Sequence, residues 1–437
     1  MIGSYLQSVD LRYNIRGWLT HINNSDLSSD GYNEDSNDVF GMEILYNASG
    51  CTGNTGIYNG QISGIKWKAK MDSHPYDNVG RAYNYSYDKL GQVRNALFFG
   101  NNGSGWTYRN GAYDEKNISY DLNGNILSLE RNNWAGAVVF SMDNLTYSYK
   151  SSGGNDQLMQ VIDANGTGGT YGFKNQSGDA EHYLYDDDGD LIRDKNKNLE
   201  YSYNDLGKVN RVTLLSYTHR YIQYNYDGSG VCLTKQVVDN GGTIKTTAYL
   251  EGFVAVDNML SYINTAEGRV RTASGVGTYE YYIKDHLGNV RVSFENQGGV
   301  AVVRQENSFY AFGLVHNSSP VISGANKEIT AGSIWDDDFG NDPDLYTMPY
   351  RQYDPVLARF NAVDPMAEKY DDLTVYNFAF NNPVTFSDPS GADPIGSWEE
   401  LLSIINQLLN NPYGGYWNSF GGFGLFYDHQ DAFDQIE

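Results

Sequence analysis

Five of the ten prolines follow an aspartate, at Asp342, Asp354, Asp364, Asp388 and Asp393, and all five pairs lie in one window near the C-terminus. Aspartates are groups that acid–base hydrolysis can use. Two carboxylates that approach each other cannot both ionise easily, so one keeps its proton. The ionised partner can then act as general base for a water attacking a peptide carbonyl, and the protonated one as acid. A plainer reading fits the same pattern. The residue before proline is held extended and Asp-Pro starts turns, so each aspartate can simply cap a turn in a loop-rich segment. Spacing alone does not say which two, if any, meet.

Other chemistry finds less support. The acidic runs Asp186–Asp190 and Asp336–Asp344 could hold calcium, but neither has EF-hand spacing, and solvated acidic turns are the simpler reading. Seven histidines are scattered without metal-ligand spacing. No P-loop, nucleophile elbow or C-x-x-C is present, so neither a cofactor nor a metal is expected. Cys51 and Cys232 are too few for a disulfide framework and read as two unrelated thiols.

The elements that would position such residues follow from a repeat. Tyr, then Asp or Asn, two variable residues, Gly, one more residue and an aliphatic recur along the chain. The copies are Tyr13-Asn14 with Gly17 and Leu19, Tyr87-Asp88 with Gly91 and Val93, and Tyr120-Asp121 with Gly124 and Ile126. They continue as Tyr185-Asp186 with Gly189 and Leu191, Tyr203-Asn204 with Gly207 and Val209, and Tyr226-Asp227 with Gly230 and Cys232. A seventh has Lys284 in the tyrosine position before Asp285, Gly288 and Val290, and Tyr149 to Gly153 is a decayed copy. An Asp or Asn that caps a type I turn, followed by a left-handed glycine, makes a three-residue hairpin with a bulge. Tyrosine and aliphatic then pair across the hairpin. Irregular spacing argues against a propeller of fixed period and for a sheet of hairpins with variable loops. Strand alternation dominates residues 1–300, as in the segments 60–70, 135–142 and 220–226.

Composition agrees. Tyr 37, Gly 48 and Pro 10 in 437 residues favour strands and turns. A formal charge of −24 repels phosphate backbones, so nucleic acid is not expected as a partner. The N-terminus lacks the signature of a cleavable signal, and no apolar run reaches membrane-helix length.

This pattern resembles the YD repeat of the bacterial RHS family, whose relatives include the toxin-encapsulating subunits of insecticidal toxin complexes. The stretch Tyr281–Phe294, with Asp285-His286-Leu287-Gly288, resembles the opening of the RHS-associated core. Residues 308–314 resemble the family's Y-x-P-F-G, with Ala311 in place of proline. Tyr350–Gly391 resembles its most specific segment, R-x-Y-D-P, R-F-x-x-x-D-P, Y-x-Y, N-N-P and D-P-x-G. The resemblance implies a mainly β fold in which antiparallel YD hairpins form a spiral shell around a loop-rich core plug. The implied divisions are 1–279 for the repeat sheet, 280–391 for the core and 392–437 for a variable extension. It also implies a scaffold that encloses its own C-terminal polypeptide, in many members a toxin cut free after D-P-x-G-L. Carried over by motif, the cutting residues are Asp364, Asp388 and Arg351, the arginine holding one carboxylate ionised. Two further positions depart: Ala392 stands where cleaving members carry leucine, and Ala358 replaces a usual glycine.

The chain then reads as the C-terminal part of a longer secreted or cell-surface shell protein. Its partners would be the rest of the shell, its own tail as cargo and an immunity protein. The alternative is a non-cleaving adhesin or carbohydrate binder. The extension carries a helix signal at 397–409, with Ser397 and Glu400 as a capping box and Pro412 beyond the end.

Overall fold

The computed structural model describes residues 6–395, apart from 33–36, 49–50, 52–54, 71–79, 136–137, 152–155, 166–171, 176, 218, 273–274, 317–324, 331–332, 341–342 and 371. The C-terminal helix signal, Asp342 and Gly153 lie outside the described residues.

Alternating strands fold into two long antiparallel meanders. One has 11 strands, from Leu11–Tyr13 to Leu158–Asp163, and the other 13, from Tyr183–Tyr185 to Val300–Glu306. In each, almost every strand pairs with its neighbours in sequence, and neither sheet closes into a barrel. The architecture is mainly β and elongated, as the repeats require.

All seven turn glycines have positive φ, between 68° at Gly207 and 89° at Gly189. The Asp88 turn shows why. Asp88 Oδ1 accepts from Leu90 N at 2.8 Å and Gln92 N at 3.0 Å, which leaves Gly91 to close the turn at φ +88. The register then shifts at the bulge, and Tyr87 pairs with Val93. Tyr120 and Ile126, Tyr203 and Val209, and Tyr226 and Cys232 pair in the same way.

The tyrosines do more than pair. Four of the hydroxyls reach back to the preceding repeat: Tyr120 donates to Val93 O at 2.6 Å, Tyr149 to Ile126 O at 2.7 Å, Tyr203 to Leu191 O at 2.8 Å and Tyr226 to Val209 O at 2.8 Å. The ladder crosses between the sheets, where Tyr185 Oη accepts from Leu158 N at 3.2 Å. A tyrosine suits this place because its ring buries apolar area while its tip donates to a backbone carbonyl.

Residues 307–395 run as a loop-rich plug with a four-stranded sheet of short strands, Ile334–Asp336, Leu345–Thr347, Gln352–Asp354 and Arg359–Phe360. One apolar core joins all three parts, including Ile118, Leu129, Val212, Ile222, Phe312 and Val356. The plug lies against the row of repeat turns. Asn381 Nδ2 donates to Gly124 O at 2.7 Å, Tyr376 Oη to Gly189 O at 2.6 Å and Lys208 Nζ to Pro349 O at 2.6 Å. His286 Nε2 lies 2.9 Å from Val384 O. Three successive residues, Ala379, Phe380 and Asn381, take left-handed φ of 50°, 56° and 57° to present that asparagine. Such a run is costly without glycine and persists only where surroundings hold it.

The acidic run after Trp335 is not the solvated turn its composition suggests. Asp336 is fully buried, paired with Lys235 and accepting from Tyr224 Oη at 2.6 Å, and Asp338 bridges Lys235 at 2.5 Å and Lys245 at 2.8 Å. Lysines of the second sheet supply the counter-charge that local sequence does not show. Among the described residues no group of side chains has a metal-binding arrangement, and no helix is long and apolar enough to cross a membrane.

Candidate functional site

The short hairpin Gln352–Asp354 with Arg359–Phe360 sets the frame. Tyr353 pairs with Phe360 and Asp354 with Arg359. Asp354 follows the plain reading of Asp-Pro: its Oδ1 caps the turn from Val356 N and Leu357 N, and its Oδ2 pairs with Lys197 at 2.7 Å. Ala358 closes this hairpin at φ +58, the conformation glycine would hold without strain.

Arg351 enters just before that hairpin and Asp364 leaves just after it, so both face the same side of the plug. Arg351 Nη2 donates to Asp364 Oδ2 at 2.9 Å and to Asp388 Oδ2 at 3.5 Å. Its Nη1 donates to Val375 O at 3.1 Å, and its Nε donates to the carbonyl oxygen of Gly391. The guanidinium packs 3.7 Å from the centre of the Phe360 ring. A planar fork with five donors is the side chain that can serve all four acceptors at once.

In each of these aspartates one oxygen caps a turn and the other faces the arginine. Asp364 Oδ1 accepts from Met366 N at 2.7 Å. Asp388 Oδ1 accepts from Gly391 N at 2.8 Å and Ala392 N at 3.0 Å. The same side chains therefore both cap turns and share one guanidinium. Gly391 has φ +75, and a Cβ there would lie 3.3 Å from both Arg351 N and Met348 Cβ, so glycine permits the close approach.

The electrostatics differ from the sequence expectation in one respect. Arg351 was expected to depress one carboxyl pKa. Instead both are raised: burial dominates at Asp364, and Arg351 only partly opposes it. Burial also raises Asp388, with Arg351 and the Ala392 and Gly391 amides opposing and Asp364 adding to the rise. Arg351 itself is lowered by burial, against the pull of the two aspartates. Desolvation wins because Asp364, Asp388 and Arg351 are only 7, 1 and 3% exposed. Two buried carboxyls raised together take up a proton more readily than free aspartates do.

A cavity of about 80 Å³ extends from Trp67 and His286 to Asp388, room for several waters. The fifth aspartate, Asp393, stands apart from Arg351 and is ion-paired to Lys369 at 2.8 Å. The motif pattern brought Arg351, Asp364 and Asp388 into view. It gave no sign of the Gly391 carbonyl as a ligand of Arg351, nor of Lys369 and Tyr370 beside Asp393, because neither contact belongs to a spaced motif.

No family model matches the chain. The fold is similar to that of TcdB2-TccC3 without its hypervariable C-terminal region, with a TM-score of 0.60 and 18% identity over 88% of this chain and 18% of that one. It is also similar to the Tc holotoxin pore of Photorhabdus luminescens carrying an aspartate-to-alanine change in TccC3, with a TM-score of 0.54 and 16% identity over 93% and 19%. In sequence, 254 residues are 26% identical to salivary gland surface protein 1 of Aedes aegypti, 53% of this chain and 7% of that protein. The chain thus spans about a fifth or less of each of these proteins. What the likeness establishes is the fold: a long, open, antiparallel β architecture like that of TcdB2-TccC3.

Proposed function

We propose that this chain is the shell and core scaffold of an RHS-type polymorphic toxin protein, which encloses the polypeptide after Gly391 and cuts itself once at Ala392. The observation that carries the reading is that one buried guanidinium, Arg351, holds Asp364, Asp388 and the Gly391 carbonyl together. The fold it shares with TcdB2-TccC3 supports the container role, and the hypervariable C-terminal region named for that protein parallels the stretch after Gly391.

The geometry points to the Gly391–Ala392 bond. Asp364, ionised, takes a proton from a water whose oxygen attacks the Gly391 carbonyl carbon. Arg351 Nε stabilises the negative oxygen that forms. In the intact chain Ala392 N donates to Asp388 Oδ1 at 3.0 Å. Once the carbonyl carbon is tetrahedral that nitrogen gains a lone pair, and in this reading the Asp388 carboxyl, carrying the proton of the pair, gives it to the nitrogen as the C–N bond breaks. The products are a Gly391 carboxyl group and an Ala392 amine. Partners in this reading are the remainder of the shell, the enclosed tail and an immunity protein, and the place of action is the cell surface or the medium.

A second reading, a scaffold or adhesin that never cuts, is favoured by the turn-capping oxygens of Asp364 and Asp388. Denaturing mass spectrometry of the purified chain over time separates them. The cleaving reading expects residues 1–391 and 392–437, and no cut in Asp364→Asn or Asp388→Asn. A cut after Ala392, as the family motif implies, moves the fragment by one alanine. A chain that stays intact favours the non-cleaving scaffold. Equal cutting in all three proteins points to an outside protease or simple Asp-Pro hydrolysis.

A further inference from the structure

Position 393 is held from the far side of Ala392, as Gly391 is from the near side. Lys369 Nζ lies 2.8 and 3.0 Å from the two carboxylate oxygens of Asp393, and Tyr370 Oη donates to Oδ1. Two residues on, Ile395 N donates to Ser387 O at 2.6 Å and Ser387 N to Ile395 O at 2.9 Å. Ala392 and Ile395 are buried between these contacts.

Lys369 and Tyr370 belong to the turn that Asp364 begins. Asp364 O accepts from Ala367 N at 3.0 Å, the 3₁₀ helix Ala367–Lys369 follows, and Tyr370 N returns to Ala367 O at 3.1 Å. The stretch 364–370 therefore touches the chain on both sides of Ala392. At its start Asp364 reaches Gly391 through Arg351, and at its end Lys369 and Tyr370 seize Asp393.

We propose that Lys369 and Tyr370 are positioning residues that read a carboxylate at position 393 and hold residues 391–393 in register with Asp364 and Asp388. This rests on the self-cleavage reading. It makes the residue after Ala392 a specificity position: a neutral side chain there loses the ion pair, and one without an acceptor oxygen also loses the tyrosine hydroxyl. The Lys369 and Asp393 side chains are 50 and 44% exposed, so the grip is modest and weakens in salt.

The test follows the rate at which the C-terminal fragment appears from the full chain. Lys369→Ala with Tyr370→Phe is expected to slow it about three- to fivefold, in line with an exposed pair. Lys369→Arg should keep the wild-type rate. Lys369→Asp should be slow, and Asp393→Lys in the same chain should restore it, which a merely structural loss would not do. The difference between wild type and Lys369→Ala should vanish at about 1 M salt. A wild type that cuts at the same rate as the Lys369→Ala, Tyr370→Phe chain overturns the proposal. A wild type that does not cut overturns the self-cleavage reading instead. The grip is then read in the uncut chain by amide exchange at Ile395: faster exchange in the double variant supports it, and equal exchange overturns it.

Discussion

Arg351 Nη2 lies 2.9 Å from Asp364 Oδ2, and the same guanidinium reaches the Gly391 carbonyl through Nε. A carboxylate and a peptide carbonyl thus share one rigid, charged plane. Replacing Arg351 by lysine keeps the charge but removes the fork, and a single ammonium cannot serve Asp364, Asp388, Val375 O and Gly391 O together. Arg351→Lys is expected to stay folded and, in the proposed self-cleavage, to slow the appearance of the 392–437 fragment about a hundredfold or more, the scale of losing one donor to a developing oxyanion. Circular dichroism checks the first part and timed mass spectrometry the second.

Gly207 gives the cleanest test of the repeat turn. It has φ +68 and open space where a Cβ would stand. Gly207→Ala therefore measures the left-handed backbone alone, and a loss of about 1 kcal/mol is expected in urea unfolding. At Gly189 the added Cβ would also lie 2.8 Å from Val363 Cγ2 and 3.2 Å from Tyr376 Oη, both in the plug. Gly189→Ala should cost more than Gly207→Ala, and equal losses would mean that plug and turn are not in contact.

These turns were legible because their causes are local. Asp88 caps, Gly91 closes and Tyr87 pairs with Val93, all within a few residues that the sequence sets side by side. The convergence of Arg351, Asp364 and Asp388 was legible only through a motif resemblance, since nothing in their spacing forces residues 13 and 37 positions apart together. The raised carboxyl pKa values were not legible, because burial is a property of the packed plug. Nor was the burial of Asp336, whose counter-charge Lys235 stands 101 positions away. The tyrosine ladder falls between these cases. The tyrosines announce themselves, but the carbonyls that four of them reach belong to the previous repeat.

Acid should stabilise the second sheet. Burial pushes the Asp194 carboxyl up to about 6, with Lys197 only partly opposing, and burial pushes Asp190 up to about 6 as well. A carboxyl raised in the folded state stabilises fully below its unfolded value, near 4, and that contribution is lost as pH rises through about 6. The contribution of these two groups to the melting temperature therefore rises from pH 7 to pH 5. Asp194→Asn keeps an oxygen for Asn196 N and Lys197 N, which donate to Asp194 Oδ1 at 2.8 and 3.0 Å, and removes the titration. Melting curves of this variant should show a smaller rise between pH 7 and 5 than wild type. An unchanged rise would mean that Asp194 is ionised throughout that range.

The joint between plug and first sheet turns on Arg131, which is fully buried. It pairs with Glu115 at 2.7 Å and Asp143 at 3.2 Å, and it donates to Val356 O at 2.7 Å and Pro355 O at 3.0 Å. Burial works against its charge, but the two carboxylates outweigh that and hold its pKa above the ordinary arginine value. Arg131→Met fills similar volume yet strands two carboxylates and two plug carbonyls. Breaking a buried pair in this way costs about 3–5 kcal/mol. Adding Glu115→Gln and Asp143→Asn to Arg131→Met removes the stranded charges and should recover part of the loss. The carbonyls of 355 and 356 remain unpaired, and Glu115 Oε2, which accepts from Phe312 N at 2.9 Å, keeps an oxygen in the amide. Urea unfolding of the three proteins is the measurement. A triple variant no more stable than Arg131→Met would show that the arginine works through its bonds to the plug rather than through its charge.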